Sequence, residues 1–425
     1  MDDYDLRGDL ISDLPQSIIE TILSKLPIKD AVRTSVLSSK WRYKWTTITH
    51  LEFSDKCVID CYDRSVSEHL LVNFITHCLF LHDGPIHKFA LSTSFLQNSP
   101  VIDQWLLFVS RNDIKEISIE LGEGEWFRAP SCLFTCSKLT HLELVRCELD
   151  PPPSFKGFLF LKCLNLQQVL IPPDDIESLI SSCPLLESLM LSYFDGLALT
   201  LRAPNLKYLS LEGEFKDICL ENTPCLVDVS VVMYMTDDIA EHFENSSSCN
   251  FDKFLGGIPC LEKLVGQIYF TKYLSIGIER NKTYLKYVHL KSIELNQVSF
   301  EDIDEVLVLL RLIVSSPNLK ELQLSGSSNA AAPITAPSDW DFWEKEGPMD
   351  GMFNKLKTVK LTDMSGMPHE MGFIEFILEH APILEVMTIA PSSYTTDGRF
   401  NMLINLARFR RASAKAEVIF IQEEA

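Results

Sequence analysis

Residues 176–191 read IESLISSCPLLESLML, and two periodicities meet inside this stretch. Ile176, Leu179 and Ile180 recur at three- and four-residue steps, which places them on one face of a helix. Leu186, Leu189 and Leu191 follow an LxxLxL spacing whose last two positions alternate, as the buried side of a strand does. Pro184 lies between the halves. It disfavours helix at the residue before it and is read as forcing an extended approach to the strand. A helix handing over to a strand within sixteen residues is the building block of an α/β fold.

The strand half recurs. It stands as Leu139, Leu142 and Leu144 in KLTHLEL, as Leu161, Leu164 and Leu166 in FLKCLNL, and as Leu206, Leu209 and Leu211 in NLKYLSL. Further copies start at Ile86, Ile114, Leu226, Leu261, Leu285, Leu319, Leu356 and Leu384. The loose pattern alone proves little, because apolar residues are common enough to give on the order of a dozen chance matches. Spacing and proline carry it. Most starts lie 20–29 residues apart, the period of leucine-rich repeats, with exceptions at 226→261, 285→319 and 319→356. Pro184, Pro204, Pro224, Pro317 and Pro382 each precede a first apolar position by two residues. The copies are irregular: Cys147 fits the Asn/Cys position of such repeats, most units lack it, and Gly266 interrupts the third apolar position of the Leu261 unit. A mixed α/β layered domain without a solenoid is the competing architecture.

These units resemble the leucine-rich repeats of plant F-box proteins. A solenoid of this kind buries its repeat leucines and offers the alternate strand positions as a binding surface. The target-binding candidates are therefore His141, Glu143, Asn165, Met190, Tyr208, Glu212, Asp228, His289 and Glu321, with Gln167, Ser210, Ser230, Lys291 and Gln323 between them. Some relatives hold an anionic cofactor beneath such a surface. That would need clustered Lys and Arg, which this face lacks, so no cofactor is expected.

Nearer the start lies a second signature. Leu14, Ile18, Ile19, Ile22, Leu23 and Leu26 form one apolar helical stripe. Ser12 or Asp13 is placed to cap it, Pro15 suits its first turn, and Pro27 stops it. A second short helix is expected over 30–36 and a third from Ser38 or Ser39 through Trp45, with Trp41 and Trp45 four apart on one face. Some 40 residues cannot bury all these side chains alone, so the module either packs on the rest of the chain or presents an apolar face to a partner.

The run DLISDLPQSIIETILSKLPIKDAVRTSVLSSKWRYKW closely resembles the F-box of plant F-box proteins. The resemblance implies docking on the Skp-type adaptor of an SCF (Skp–cullin–F-box) ubiquitin ligase, and through it on a cullin-RING assembly. Carried over position by position, the adaptor contacts are Leu14, Pro15, Ile18, Ile19, Ile22, Leu23, Leu26, Pro27, Leu37, Ser38, Trp41 and Trp45. Some of these must instead hold the module together, and the sequence does not sort them.

At the other end, FILEHAPILEVMTI and RFRRASAKAEVIF resemble the FBD domain that follows the repeats in many plant F-box proteins. Strand, helix, strand, helix and a last strand are expected from about residue 350 onward. Before it, SGSSNAAAPITAPSD reads as a linker, and residues near 234–258 read as a surface excursion. The organisation expected is an acidic tail (1–8), a three-helix F-box (9–50), an irregular leucine-rich-repeat solenoid (51–330), a linker (331–349) and an α/β FBD-like cap (350–425). The fold class is α/β.

Composition bounds the function. With 38 Lys and Arg against 59 Asp and Glu, the formal charge is −21, which disfavours broad binding to nucleic acid or an anionic membrane. Residues 24–46 run the other way, with six bases against Asp30, a local charge of +5. Bases between Trp41, Tyr43 and Trp45 keep a nucleic-acid reading open as a third hypothesis, behind the ligase receptor and a non-ligase scaffold. MDDYDLRGDL has no basic or apolar signal region and the twelve cysteines show no framework spacing. Reduced thiols in nucleus or cytoplasm are the expectation. No metalloprotease, P-loop or nucleophile-elbow motif occurs, and Cys57, Cys61, His77, Cys78 and His82 lack zinc spacing. No catalytic, cofactor or metal residue is assigned; the chain is read as a non-enzymatic receptor.

Overall fold

The computed structural model describes residues 11, 14–58, 63–124, 126–244, 249–278, 286–327, 352–392 and 398–421. The chain divides into two compact units, residues 1–186 and 187–425.

The first unit opens with helices α1 (Gln16–Leu23) and α2 (Ile28–Arg33), the latter continuing into a 3-10 turn over Thr34–Val36. The strands are β1 (His50–Ser54), β2 (Lys88–Thr93), β3 (Glu116–Leu121), β5 (His141–Val145) and β7 (Cys163–Gln167). They pair in that order, all parallel. The short β4 (Phe127–Arg128) and β6 (Cys147–Glu148) form a separate parallel pair. Helices α3 (Arg64–Leu81) and α4 (Pro100–Ser110) connect the first strands, and α5 (Pro173–Ser181) closes the unit.

In the second unit the strands are β8 (Ser188–Arg202), β9 (Tyr208–Glu221), β10 (Asp228–Met233), β11 (Lys263–Ile268), β12 (Ser292–Val298), β13 (Glu321–Gly326), β14 (Thr358–Met364), β15 (Val386–Pro391) and β16 (Glu417–Phe420). Each pairs with the next in parallel. Between them run α6 (Asp237–Glu244), α7 (Asn250–Leu255), α8 (Phe270–Ser275) and α9 (Ile303–Ser315), then helices Pro368–His380 and Gly398–Arg408. The FBD-like segment shows the expected strand–helix–strand–helix–strand order, and its first strand pairs directly with β13 of the repeats.

The repeat leucines are the core: Leu139, Leu142, Leu144, Leu161, Leu164, Leu166, Leu206, Leu209 and Leu211 are all 3% exposed or less. Two copies need correction. Ile48, Leu51 and Phe53, all buried, make β1 a further repeat strand ahead of the Ile86 copy. The copy at Leu285 is misplaced: Leu285 lies outside the described residues, Val288 is exposed, and the buried triplet is Leu290, Ile293 and Leu295. Leu261, Leu290 and Leu319 then stand 29 residues apart, so one of the three spacing exceptions, 285→319, reduces to a regular repeat.

Proline acts differently from the expectation. In most repeats the first apolar residue donates its N–H to a carbonyl three residues back, as in Leu206 to Ala203 at 3.1 Å and Leu226 to Thr223 at 3.2 Å. Pro184, Pro204, Pro224, Pro317 and Pro382 sit second in that four-residue turn, and Pro259 is a sixth case. The ring fixes φ near the value this position requires. At the far end of the strands another device repeats. Arg146, Gln168, Tyr193, Ile268, Gln297 and Asp363 all have φ between 50° and 61°, each two residues past the third apolar position. The extra residue shifts the pairing at 295/298 and 361/364, the signature of a β-bulge.

Three further expectations change. The third N-terminal helix is absent: residues 39–43 are turns and Lys44–Thr47 is a 3-10 turn. The hydroxyls of Ser35, Thr46 and Thr47 donate to the carbonyls of Arg42, Tyr43 and Lys44, taking acceptors that a helix would use. Helix α1 starts after Pro15 and ends at Leu23, and Pro27 precedes α2 instead of stopping α1; Ser12, Asp13, the acidic tail and the 331–349 linker lie outside the described residues. The 234–258 segment is no surface excursion, because Ile239, Phe243, Phe251, Phe254 and Leu255 are buried. Phe254 meets Phe270 edge-on with centroids 5.2 Å apart.

Gly266, the apparent flaw in the repeat pattern, is explained by the same ring. A Cβ at Gly266 would lie 2.2 Å from Phe270 Cδ1 and 2.8 Å from Leu295 Cδ2, so Phe270 fills the space that a leucine takes in other repeats. Gly266→Leu is expected to lower the unfolding free energy by about 1–3 kcal/mol, through overpacking, in a denaturant titration. A second prediction concerns Glu305, 6% exposed at the start of α9, whose carboxylate accepts from the Ser299 N–H at 3.1 Å. Burial pushes its pKa up to about 7. The folded state therefore favours the protonated form: its contribution is complete below about pH 4.5 and is lost as pH rises through 7. Glu305→Gln is expected to gain stability over wild type at pH 8, on the order of 3 kcal/mol at most, with the gain shrinking toward pH 5 in pH-resolved thermal melts.

Candidate functional site

The N-terminal module places apolar side chains on two faces of α1. Ile19 and Leu23 are fully buried, while Ile18, Ile22 and Leu26, one residue before or three after them, are about 40% exposed. Val36 and Leu37, at the turn that ends α2, are 85% and 66% exposed. Pro15 and Pro27 are exposed at the two helix starts, and Leu14 and Ser38 are half-buried. The single stripe seen in the sequence is thus two adjacent rows, one inward and one outward. Such contiguous exposed apolar surface marks an interaction site.

Trp41 and Trp45 are 5% and 3% exposed. With Ile19, Leu23, Ile28, Ala31 and Ile48 they form the module's own core, so they hold the outward row in place and do not themselves lie on it. Val36 and Tyr43 are exposed residues absent from the adaptor contacts that the sequence suggests. The SVL triplet next to Leu37 was the available signal for Val36.

Polar contacts fix the geometry from beneath. Lys44 Nζ donates to Gln16 Oε1, Gln16 Nε2 donates to Glu20 at 2.9 Å, and Thr47 Oγ1 donates to the same Glu20 oxygen at 3.3 Å. Lys29 reaches the Lys56 carbonyl at 3.1 Å and Arg33 pairs with Asp30 at 3.6 Å. Arg33 and Lys44, two of the bases behind the nucleic-acid reading, therefore make contacts within the protein, as does Lys29. Both tryptophan rings are core, so they offer no stacking platform to bases.

The strand candidates divide between the units. In the first, Glu143 receives Ser118 Oγ at 2.8 Å and Asn165 Nδ2 at 2.9 Å, and His141 lies 4.0 Å from Glu116. Where the strands of this unit end, a cavity of about 640 Å³ is lined by Ser54, Asp55, Ser92, Glu120, Arg146 and Gln167 among others. Asp55 is satisfied internally, accepting from the Ser94 N–H at 3.0 Å and its hydroxyl at 2.7 Å. In the second unit Met190, Tyr208, Glu212, Asp228 and Glu321 lie on strands β8, β9, β10 and β13 with outward positions. His289 and Lys291 do not: they precede β12, whose outward positions are Ser292 and Glu294. That error follows from the misplaced Leu285 copy.

Thiol chemistry is muted. The described cysteines are free, and burial raises Cys78, Cys136 and Cys147 to about 12. Such thiols stay protonated and unreactive near neutrality. Among the described residues no group of three or more His, Cys, Asp or Glu is placed to hold a metal ion, and no helix is long and apolar enough to cross a membrane.

Trp45→Ala is expected to cost about 3–5 kcal/mol locally, read as loss of hydrogen-exchange protection over residues 14–48. Ile22→Ala, on the outward row, is expected to leave that protection within about 0.5 kcal/mol of wild type.

Comparison with known proteins follows the same segmentation. An F-box domain model matches residues 11–50, and the model described as FBD-associated F-box protein At5g56370, LRR repeats, matches 102–244. An FBD model matches 347–389. F-box/FBD/LRR-repeat protein At1g13570 of Arabidopsis thaliana is 59% identical across 98% of this chain and 99% of its own length. FBD-associated F-box protein At5g56370 is 26% identical, over 97% and 100% of the two chains. F-box/FBD/LRR-repeat protein At5g56420, also of Arabidopsis thaliana, is 28% identical over 97% and 99%. The chain belongs to the plant F-box/FBD/LRR-repeat protein family.

Proposed function

We propose that this chain is the substrate-recognition subunit of an SCF-type E3 ubiquitin ligase, working in nucleus or cytoplasm. One observation carries the reading: the outward row Ile18, Ile22 and Leu26, continued by Val36 and Leu37, is exposed apolar surface on a module whose core is already complete. An amphipathic helix face of this kind fills a hydrophobic groove on a partner, and the Skp-type adaptor is the partner that an F-box implies. The +5 charge of residues 24–46, in a chain of −21, suits an acidic adaptor surface and speeds encounter.

The repeats and the FBD-like strands then serve as the target-binding part. In this scheme the chain supplies proximity and no bond-making group of its own. Holding a target beside a charged conjugating enzyme converts a rare encounter into an intramolecular one.

The test is affinity of the full chain for a purified plant Skp-type adaptor. Ile22→Glu combined with Leu37→Glu is expected to weaken binding at least about 100-fold, because two charges would be buried unpaired at the contact. The melting temperature is expected to stay unchanged, since neither residue belongs to the core. Adaptor binding at wild-type strength by this double variant would refute the receptor reading.

A further inference from the structure

In the second unit, three tyrosines gather where successive strands leave the first part of the ladder. Tyr193 belongs to β8, between the residues that pair with Glu212 and Gly213 of β9, while Tyr234 and Tyr269 immediately follow β10 and β11. Tyr208 opens β9 opposite Ser188 and Asp228, at the other end of the ladder. Tyr193, Tyr269 and Met190, two positions before Ser192 on β8, are between 38% and 45% exposed. A carboxylate lies among them: Glu212 accepts the Tyr234 hydroxyl at 2.9 Å. That bond raises the Tyr234 phenol above its usual value, and Tyr193 is close enough to add to the shift. Cross-strand register brings Met190 opposite Ser210 and Glu212 opposite Ser192. Small residues thus leave the rings and the carboxylate standing above the sheet.

We infer that this patch on β8–β11 is where the target docks, and that it captures an extended protein segment carrying an arginine or lysine beside an apolar residue. The inference rests on the receptor reading above and names the chemistry of its target. Tyrosine and methionine are enriched in protein interfaces, and single exposed aromatics are ordinary where a cluster on adjacent strands is not. Rings alone would select an apolar residue, and a carboxylate alone would stay hydrated. Rings beside a carboxylate select a long side chain with an aliphatic stem and a cationic head, through cation–π attraction and an ion pair together. Charge agrees. Asp228 on β10 and Glu214 beside the tyrosines add negative charge, against Lys263, which lies opposite Asp228 in the ladder. Anionic partners are repelled by the same groups.

Fluorescence anisotropy of the full chain decides the matter, using four pools of fluorescein-labelled dodecapeptides, degenerate except for a central Arg, Lys, Gln or Glu. The Arg and Lys pools are expected to bind about tenfold more tightly than the Gln pool, and the Glu pool more weakly still. Glu212→Gln, which keeps an acceptor for Tyr234, is expected to erase that preference. Tyr193→Asn, a residue suited to φ of 60°, is expected to reduce it about tenfold. Asp174→Asn, an equal change of charge in the first unit, controls for general attraction to an acidic chain and is expected to change nothing. Equal binding of the four pools overturns the inference, as does an unaltered preference in Glu212→Gln or an equal loss in Asp174→Asn. Adaptor affinity is measured on the same proteins. Adaptor binding without a cationic preference overturns this inference alone, and the preference without adaptor binding overturns the receptor reading alone.

Discussion

Parallel pairing is the constraint on which the remaining features depend. A parallel strand cannot be reached by a tight hairpin, so each strand here needs a connection that carries the chain back to its starting end. Both faces of the return must be managed: the helix or turn covers the inward leucines, and the opposite side of the sheet stays open. Each repeat therefore needs a sharp turn before its strand and a release after it. The turn with proline in second place supplies the first, and the left-handed residue two places past the third leucine supplies the second. Between these fixed points the connection is free to vary. That freedom accommodates a 3-10 turn before β5, a single helix such as α9, and the two helices α6 and α7 between β10 and β11.

The N-terminal module solves a different problem with similar residues. Some forty residues supply two tryptophans and several aliphatics for a small core, and still hold apolar side chains outward. Their exposure lowers nothing in the fold's favour and is tolerated because the row is rigidly backed. Glu20, Gln16, Lys44 and Thr47 form the polar seam that sets its angle. A docking face built this way is decoupled from the core, so a substitution on the outward row and one on the inward row have different signatures.

Much of this was legible in the sequence, and the misses share a cause. Leucine spacing and proline placement identified the repeats, since burial in a parallel ladder imposes a repeated apolar triplet. Leu285 was mistaken for a strand start because Val288 and Leu290 complete a chance triplet, and only burial distinguishes it from the true one at Leu290. Gly266 looked like a defect because its partner, Phe270, comes from the following helix and not from the strand. The tyrosine patch could not be seen because Tyr193, Tyr234 and Tyr269 lie two or three residues past the third apolar position, outside the triplets that mark the repeats. Strand pairing brings them to the same end of the ladder as Glu212.

The sequence by itself determined the α/β class, the order of F-box, repeats and FBD-like segment, and most of the buried leucines of the repeat strands, because these follow from local periodicity and turn chemistry. Tertiary structure alone decided which of the adaptor candidates point outward. Ile18 and Ile19, or Ile22 and Leu23, are neighbours of near-equal hydrophobicity, and their fates differ only by the 100° turn between them on a helix whose azimuth is set by Trp41 and Trp45. A one-dimensional pattern records that a stripe exists. Which edge of it the core claims depends on what packs against it.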